Sequence, residues 1–185
     1  VIAYKLVDQK FRTRAGHDNE VTWRVGETHT ATGKSNMLCT DGVIHSYTSP
    51  ELGAFLNPTH ADIKAPRCIE LDASPVVDSD GLKQGHKSAT MLREVPMPQP
   101  TLRQRVVFAI LCARAVPNRK RVPEWESWAD CYLANATSAA HAECAANTAM
   151  YAASMTHTAM YAAVAASAAR FVDFDVIAEQ AMETT

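Results

Sequence analysis

The stretch TMLREVPMPQPTLRQ, residues 90–104, divides the chain in two. Up to Val95 it alternates as a strand does, with Met91 and Val95 among polar neighbours. Pro96, Pro98 and Pro100 then remove three backbone donors and fix φ, so that neither a helix nor a central strand continues. Thr101 and Gln104 follow as a T-x-x-Q capping box, and behind them Val106, Val107, Ile110 and Leu111 recur at helical spacing. The architecture therefore changes at residues 96–100.

On the N-terminal side, IAYKLV (2–7), VTWRV (21–25), GVIHSY (42–47) and RCIELDA (67–73) join TMLREV (90–95) as strand candidates. RAGHDNE, ATGKSN, DSDG and KQGH separate them, each rich in residues that tolerate turn geometry. One helix interrupts this series. Ser49 can cap it, Pro50 suits its first position, and Leu52, Phe55 and Leu56 share a face before Asn57-Pro58 stops it. On the C-terminal side Pro123 starts a helix with a stripe of Trp125, Trp128, Ala129 and Tyr132 or Leu133, read as core packing. From Ala134 to Ala169 there are 17 alanines in 36 residues without proline or glycine, which predicts helix. TAMYAA occurs at 148–153 and 158–163, an offset of ~1000° of helical rotation, so the two copies face different ways. The tail FVDFDVIAEQAM offers Phe171, Val172, Phe174 and Ile177 as an apolar plug, with Asp173 or Asp175 as a cap. The fold class is α+β: a β-rich domain over 1–95 with one short helix, a proline-rich linker over 96–100, and an all-helical, alanine-rich part over 101–185.

Charge and composition exclude several classes. With 18 basic and 20 acidic residues intermixed, the chain has no basic footprint for a phosphate backbone, so nucleic acid is not the expected partner. No apolar run is long enough to span a bilayer, and the N-terminus lacks a signal-peptide core, so no membrane and a cytoplasmic location are expected. Cys39, Cys68, Cys112, Cys131 and Cys144 are odd in number and contain no CxxC, which fits free thiols. The basic loop NRKR (118–121) reads as solvated.

AYKLVD, WRVGE, LCTDGVIHSYTSPELGAFLNPTHAD and GLKQGHKSATMLREV, followed by the alanine-rich C-terminus, together resemble a group of uncharacterised phage and bacterial proteins. The similarity covers most of the chain and is most specific from Leu38 to Asp62. Its pattern, C-x-x-G-x-x-H followed by N-P-x-H, falls on Cys39, Gly42, His45, Asn57, Pro58 and His60, with Cys68 outside it. The resemblance implies phage association, in a bacterial host's cytoplasm or in a virion, and brings no activity with it.

One constellation can carry chemistry. Cys39, His45 and His60 offer a thiol and two imidazoles, either as a nucleophile with a base or as ligands of a zinc ion that Cys68 or His86 would complete. The C-x5-H-x14-H spacing matches no zinc module, and no cofactor is expected. The simpler alternative makes Cys39 a small buried residue, places His45 in a strand, and lets His60 tie down the loop after Asn57-Pro58. Three functions compete. The first is a non-enzymatic, phage-associated assembly or binding protein that oligomerises or docks on a protein partner through alanine-rich helices. The second is a small enzyme or small-molecule binder with a Cys/His pocket on the β domain, and the third a structural component of a phage particle.

Overall fold

A computed structural model describes residues 1–115, 123–134 and 172–184. The expectations for the alanine-rich segment, its TAMYAA copies, the NRKR loop, Cys144 and Phe171 lie outside the described residues, as does assembly through those helices. The described chain is α+β, with antiparallel sheets in its N-terminal part and helices in its C-terminal part. Val1–Gln99 and Asp173–Ala178 form one compact unit, and Pro100–Val172 with Glu179–Thr185 form the other.

The first unit is built on a four-stranded antiparallel sheet. Its order is β1 (Ile2–Val7), β6 (Arg67–Ala73), β9 (Ser88–Val95), β4 (Thr28–Thr30). Ala3 faces Leu71 and Lys5 faces Ile69 across the β1–β6 ladder, and Leu71 faces Met91 across β6–β9. Side chains alternate across a strand, so Ala3, Val7, Ile69, Leu71, Ala73, Ala89 and Met91 pack one face, closed by Trp23. Lys5 falls on that same inner face, between Ala3 and Val7. A second sheet runs β5 (Ile44–Ser46), β8 (Gln84–His86), β7 (Val76–Ser79). Reciprocal backbone bonds of 2.9 and 2.7 Å between Tyr4 and Tyr47 join it to β1. β2 (Arg12–Thr13) and β3 (Val21–Thr22) form a separate two-stranded ribbon, and β2 lies near β1.

Helix α1 (Pro50–His60) starts as its sequence dictates: Ser49 Oγ accepts the Leu52 N–H at 3.1 Å, Pro50 occupies the first turn, and Leu52, Ala54, Phe55 and Leu56 are buried. Its end differs from expectation. Asn57-Pro58 does not stop the helix, which takes Pro58 into its last turn and ends at His60. The Ala61 N–H bonds Asn57 O at 3.1 Å, while the Asn57 side chain donates to Ile63 O and accepts from Ile63 N at 3.0 and 3.1 Å. That amide clamp sets the exit of the chain three residues later than proline alone would. Of VTWRV only Val21–Thr22 is strand: the Trp23 N–H still bonds Phe11 O at 2.8 Å, in register with the ladder, which ends where Phe11 turns to a φ of 59°.

In the second unit α2 (Leu102–Ala115) opens on the capping box: Gln104 N–H donates to Thr101 Oγ1 at 3.2 Å and Thr101 N–H to Gln104 Oε1 at 2.8 Å. Val106, Ala109 and Ile110 of α2 pack with Trp128 and Ala129 of α3 (Pro123–Leu133), the stripe read from the sequence. Helix α4 (Phe174–Met182) is capped by Asp173, whose carboxylate accepts from Val176 N at 3.2 Å. Asp175 does not cap; it accepts a 2.7 Å bond from Ser49 Oγ within the first unit. No helix among the described residues is long and apolar enough to cross a membrane.

Candidate functional site

The segment between β4 and β5 carries Cys39, and its shape is held by backbone-directed bonds. Lys87 Nζ donates to Ser35 O and Gly42 O at 2.6 and 2.8 Å, gathering both ends of the loop, and Leu38 N–H donates to Asp78 Oδ2 at 2.8 Å. Gly42 is required by this closure, since a Cβ there would lie 2.0 Å from Ser35 O. Cys39 sits at the tip with φ of 62°, in the left-handed region that a β-carbon disfavours. It is exposed, which corrects the expectation of a small buried residue.

Cys39, His45 and His60 line one cavity of about 720 Å³. His45, on β5, faces the Cys39 loop, but Nε2 accepts the backbone N–H of Cys39 at 2.9 Å, not the thiol. The ring proton therefore sits on Nδ1. Burial, then the charges of Lys5, Lys83 and Arg14, push this imidazole down to about 4, with Asp80 opposing, so His45 is neutral at pH 7. The Cys-His nucleophile pair, one of the alternatives the sequence offered, is not formed in this geometry, where the imidazole nitrogen accepts a main-chain donor. The thiol instead accepts from Lys83 Nζ at 3.3 Å. His60, at the end of α1, stacks on Tyr47 with ring centroids 6.2 Å apart and planes 10° apart. Its Nδ1 is buried without a partner among the described residues, and burial lowers its pKa.

Cys68 stands apart from this group. It is fully buried on β6, and burial pushes its thiol up to about 12. His86, the other proposed fourth ligand, is wholly occupied: Nδ1 bonds Ser74 O at 2.7 Å and Nε2 meets Ser46 Oγ at 2.8 Å. Among the described residues no group of three or more His, Cys, Asp or Glu side chains is placed to hold a metal ion.

The remaining walls are cationic, and sequence reading missed them. Lys5, Arg12, Arg14 and Lys83 line the cavity against two carboxylates, Asp8 and Asp62. Arg12 is engaged by Asp8 at 2.8 Å and Glu20 at 3.4 Å, and Lys83 lies 3.9 Å from Asp80. Lys5 and Arg14 enter no ion pair among the described residues. Lys5 Nζ donates to His45 O at 2.6 Å and lies 5.9 Å from the centre of the Trp23 ring. Burial, then the charge of Arg14, lowers it to about 8, so it keeps its proton at pH 7. A second cavity of about 400 Å³ shares Lys5, Thr13, Arg14 and His45 with the first, which places the two unpaired cations where the chambers meet. Local strain gathers here too. Five non-glycine residues among those described have left-handed φ, and three of them, Arg14, Cys39 and Asp62, line the larger cavity.

Comparison of the chain with protein-family models, with curated proteins and with solved structures found no match.

Proposed function

We propose that the N-terminal unit is a binding module for a small organic anion, which Lys5 and Arg14 hold where the two chambers meet. The observation that carries this reading is the convergence on one cavity of two cations without carboxylate partners among the described residues. Lys5 is a cation in a partly dry site, which is costly unless an opposite charge joins it, and a ligand's anionic group supplies that charge while exposed Arg14 reaches it from the solvent side. The cavity volume falls within the range of small-molecule sites. Neutral His45 and His60, with the Tyr47 ring, add a polar and aromatic wall that can orient the uncharged part of the ligand. This reading develops the small-molecule alternative drawn from Cys39, His45 and His60, with the binding strength moved from those residues to the cations beside them.

Citrate and pyrophosphate serve as probes, with the full chain unfolded thermally and Trp23 followed by fluorescence in a Trp125→Phe, Trp128→Phe background. Saturable binding stabilises the fold by ~2.7 kcal/mol at a hundredfold excess over Kd, and the melting temperature rises with probe concentration accordingly. The rise disappears in Arg14→Met and weakens above pH 8, as Lys5 loses its proton. Equal rises in the parent and Arg14→Met, as general salting of the surface would give, refute the reading.

A further inference from the structure

We propose that Tyr47 and His60 form a hydroxyl-selective subsite of the larger cavity, so that the ligand of this module is a hydroxylated organic anion, a hydroxy acid or a polyol phosphate. The proposal rests on the anion-binding reading of the same cavity. Tyr47 is 7 % exposed and lines the cavity, and among the described residues it hydrogen-bonds through its backbone alone. A tyrosine buried to that degree ordinarily places its hydroxyl on a partner. His60 stacks on the same ring, and its Nδ1 is buried without a partner among the described residues. In the first unit two buried side-chain polar atoms lack a hydrogen-bond partner among the described residues, His60 Nδ1 and His29 Nε2. The first belongs to a residue of the larger cavity's wall, and the second, 3.9 Å from the Glu27 carboxylate, to one of the smaller cavity's wall. Other rings of this unit are satisfied: His86 is held at both nitrogens, His45 accepts the Cys39 N–H, and Trp23 donates to Thr13 Oγ1 at 3.3 Å.

Both groups of the subsite are neutral at pH 7. Burial, then the charges of Asp80 and Cys68, raises the Tyr47 hydroxyl above its usual range, and burial lowers His60. Tyr47 therefore offers an O–H donor with lone pairs behind it, and His60 a nitrogen that donates or accepts according to its tautomer. A ligand hydroxyl answers all of these, since it donates and accepts at one atom, whereas a carbonyl only accepts and an ammonium only donates. His60 Nδ1 comes to the cavity by rotation of the ring about Cβ–Cγ, a broad torsion in histidine. The distance to the anion's anchor is short. Lys5 Nζ is bonded to His45 O, and the two residues of extended chain from His45 to Tyr47 cover ~7 Å, which a hydroxy acid or a short polyol phosphate spans.

The test uses the full chain and two pairs of equally charged probes that differ in hydroxyl content: citrate with tricarballylate, and glycerol 3-phosphate with propyl phosphate. Affinities come from titration calorimetry. In at least one pair the hydroxylated member binds ~10-fold tighter or more, the worth of one or two hydrogen bonds. Tyr47→Phe keeps the ring and its stacking and brings the affinities of that pair together, and His60→Phe does so in part. The ratio in the parent decides alone should either variant fail to fold. Equal affinities within both pairs, as a resident water satisfying both atoms would give, overturn the proposal, and so does a preference that neither variant alters. The two readings fail separately. Equal binding that Arg14→Met abolishes removes the subsite and leaves the anion-binding module standing. A hydroxyl preference indifferent to Arg14→Met overturns the anion reading and leaves the subsite, and no binding of any of the four probes removes both.

Discussion

Lys5→Met removes a charge that β1 carries on its inner face, between Ala3 and Val7, and keeps a side chain of similar length. Folded Lys5 gives up its proton at about 8, against 10.5 for a free side chain. Between those values the unfolded chain binds more protons than the native one, so the Lys5 contribution to stability rises with pH across that window and is flat below it. The gap of about 2.5 pH units, at ~1.4 kcal/mol each, amounts to ~3 kcal/mol, and solvent reaching a partly exposed side chain trims it to ~2–3. The bond from Nζ to His45 O is lost at every pH and costs about 1 kcal/mol. At pH 7 the variant is therefore the more stable by ~1–2 kcal/mol. At pH 10.5, where the folded lysine is neutral and the unfolded one is half protonated, all but ~0.4 kcal/mol of that penalty is gone and the parent leads slightly. Urea denaturation at both pH values reads this directly, with Trp23 reporting on the N-terminal unit in the Trp125→Phe, Trp128→Phe background. Parallel pH profiles for parent and variant would show that Lys5 carries no depressed proton affinity, and the argument for a buried, unpaired cation would go with it.

Two further outcomes follow from the same structure. His45 is held down to about 4, and His60 and His86 are lowered as well, all three chiefly by burial. The unfolded chain thus takes up protons below 6.5 that the folded one resists, and the melting temperature of the N-terminal unit holds from pH 8 to about 6.5 and falls toward pH 4; a flat profile over that range contradicts the neutral imidazoles. In the second unit, Thr101→Ala removes half of a formed capping box at a cost of about 1 kcal/mol. Gln104→Ala costs more, because its amide also donates to Met182 O at 2.7 Å, and hydrogen exchange in the first turn of α2 gives the order of the two.

Much of the frame was legible because its elements announce themselves locally. β6 matches RCIELDA residue for residue, and β1 matches IAYKLV, since both runs are long enough for period two to show. β2, β4, β7 and β8 were missed; at two to four residues each, they exist through their partners' register and not through a pattern of their own. Cys39, His45 and His60, grouped in the sequence as candidates, line one cavity, but their bonds were not readable. Spacing cannot tell a thiol acceptor from a backbone N–H, and the left-handed turn at Cys39 is what brings the amide, not the sulfur, to His45. Arg14 and Lys83 fall in RAGHDNE and KQGH, segments read only as turns. Lys5 left a signal that alternation alone exposes: in IAYKLV it shares a face with Ala3 and Val7, the two residues assigned to the core.

That placement bears on what the cavity is for. A lysine retained for structure has carboxylate neighbours or a solvated head, and Lys5 has a main-chain carbonyl, an indole face and another cation nearby. Its depressed proton affinity is a cost to the folded state, and left-handed backbone at Arg14, Cys39 and Asp62 adds about 1–2 kcal/mol for each residue. His60 adds a buried ring nitrogen without a partner among the described residues. Phe11 and Ala65 share that left-handed backbone away from the larger cavity, while the capped start of α1 and the packed face of the sheet keep local preference and packing in agreement. Three of the five such residues described nevertheless line the one cavity that holds Lys5 and His60, and strain of this kind gathers at binding sites. A ligand bearing negative charge reverses the largest of these costs, because it gives Lys5 the partner that the fold withholds.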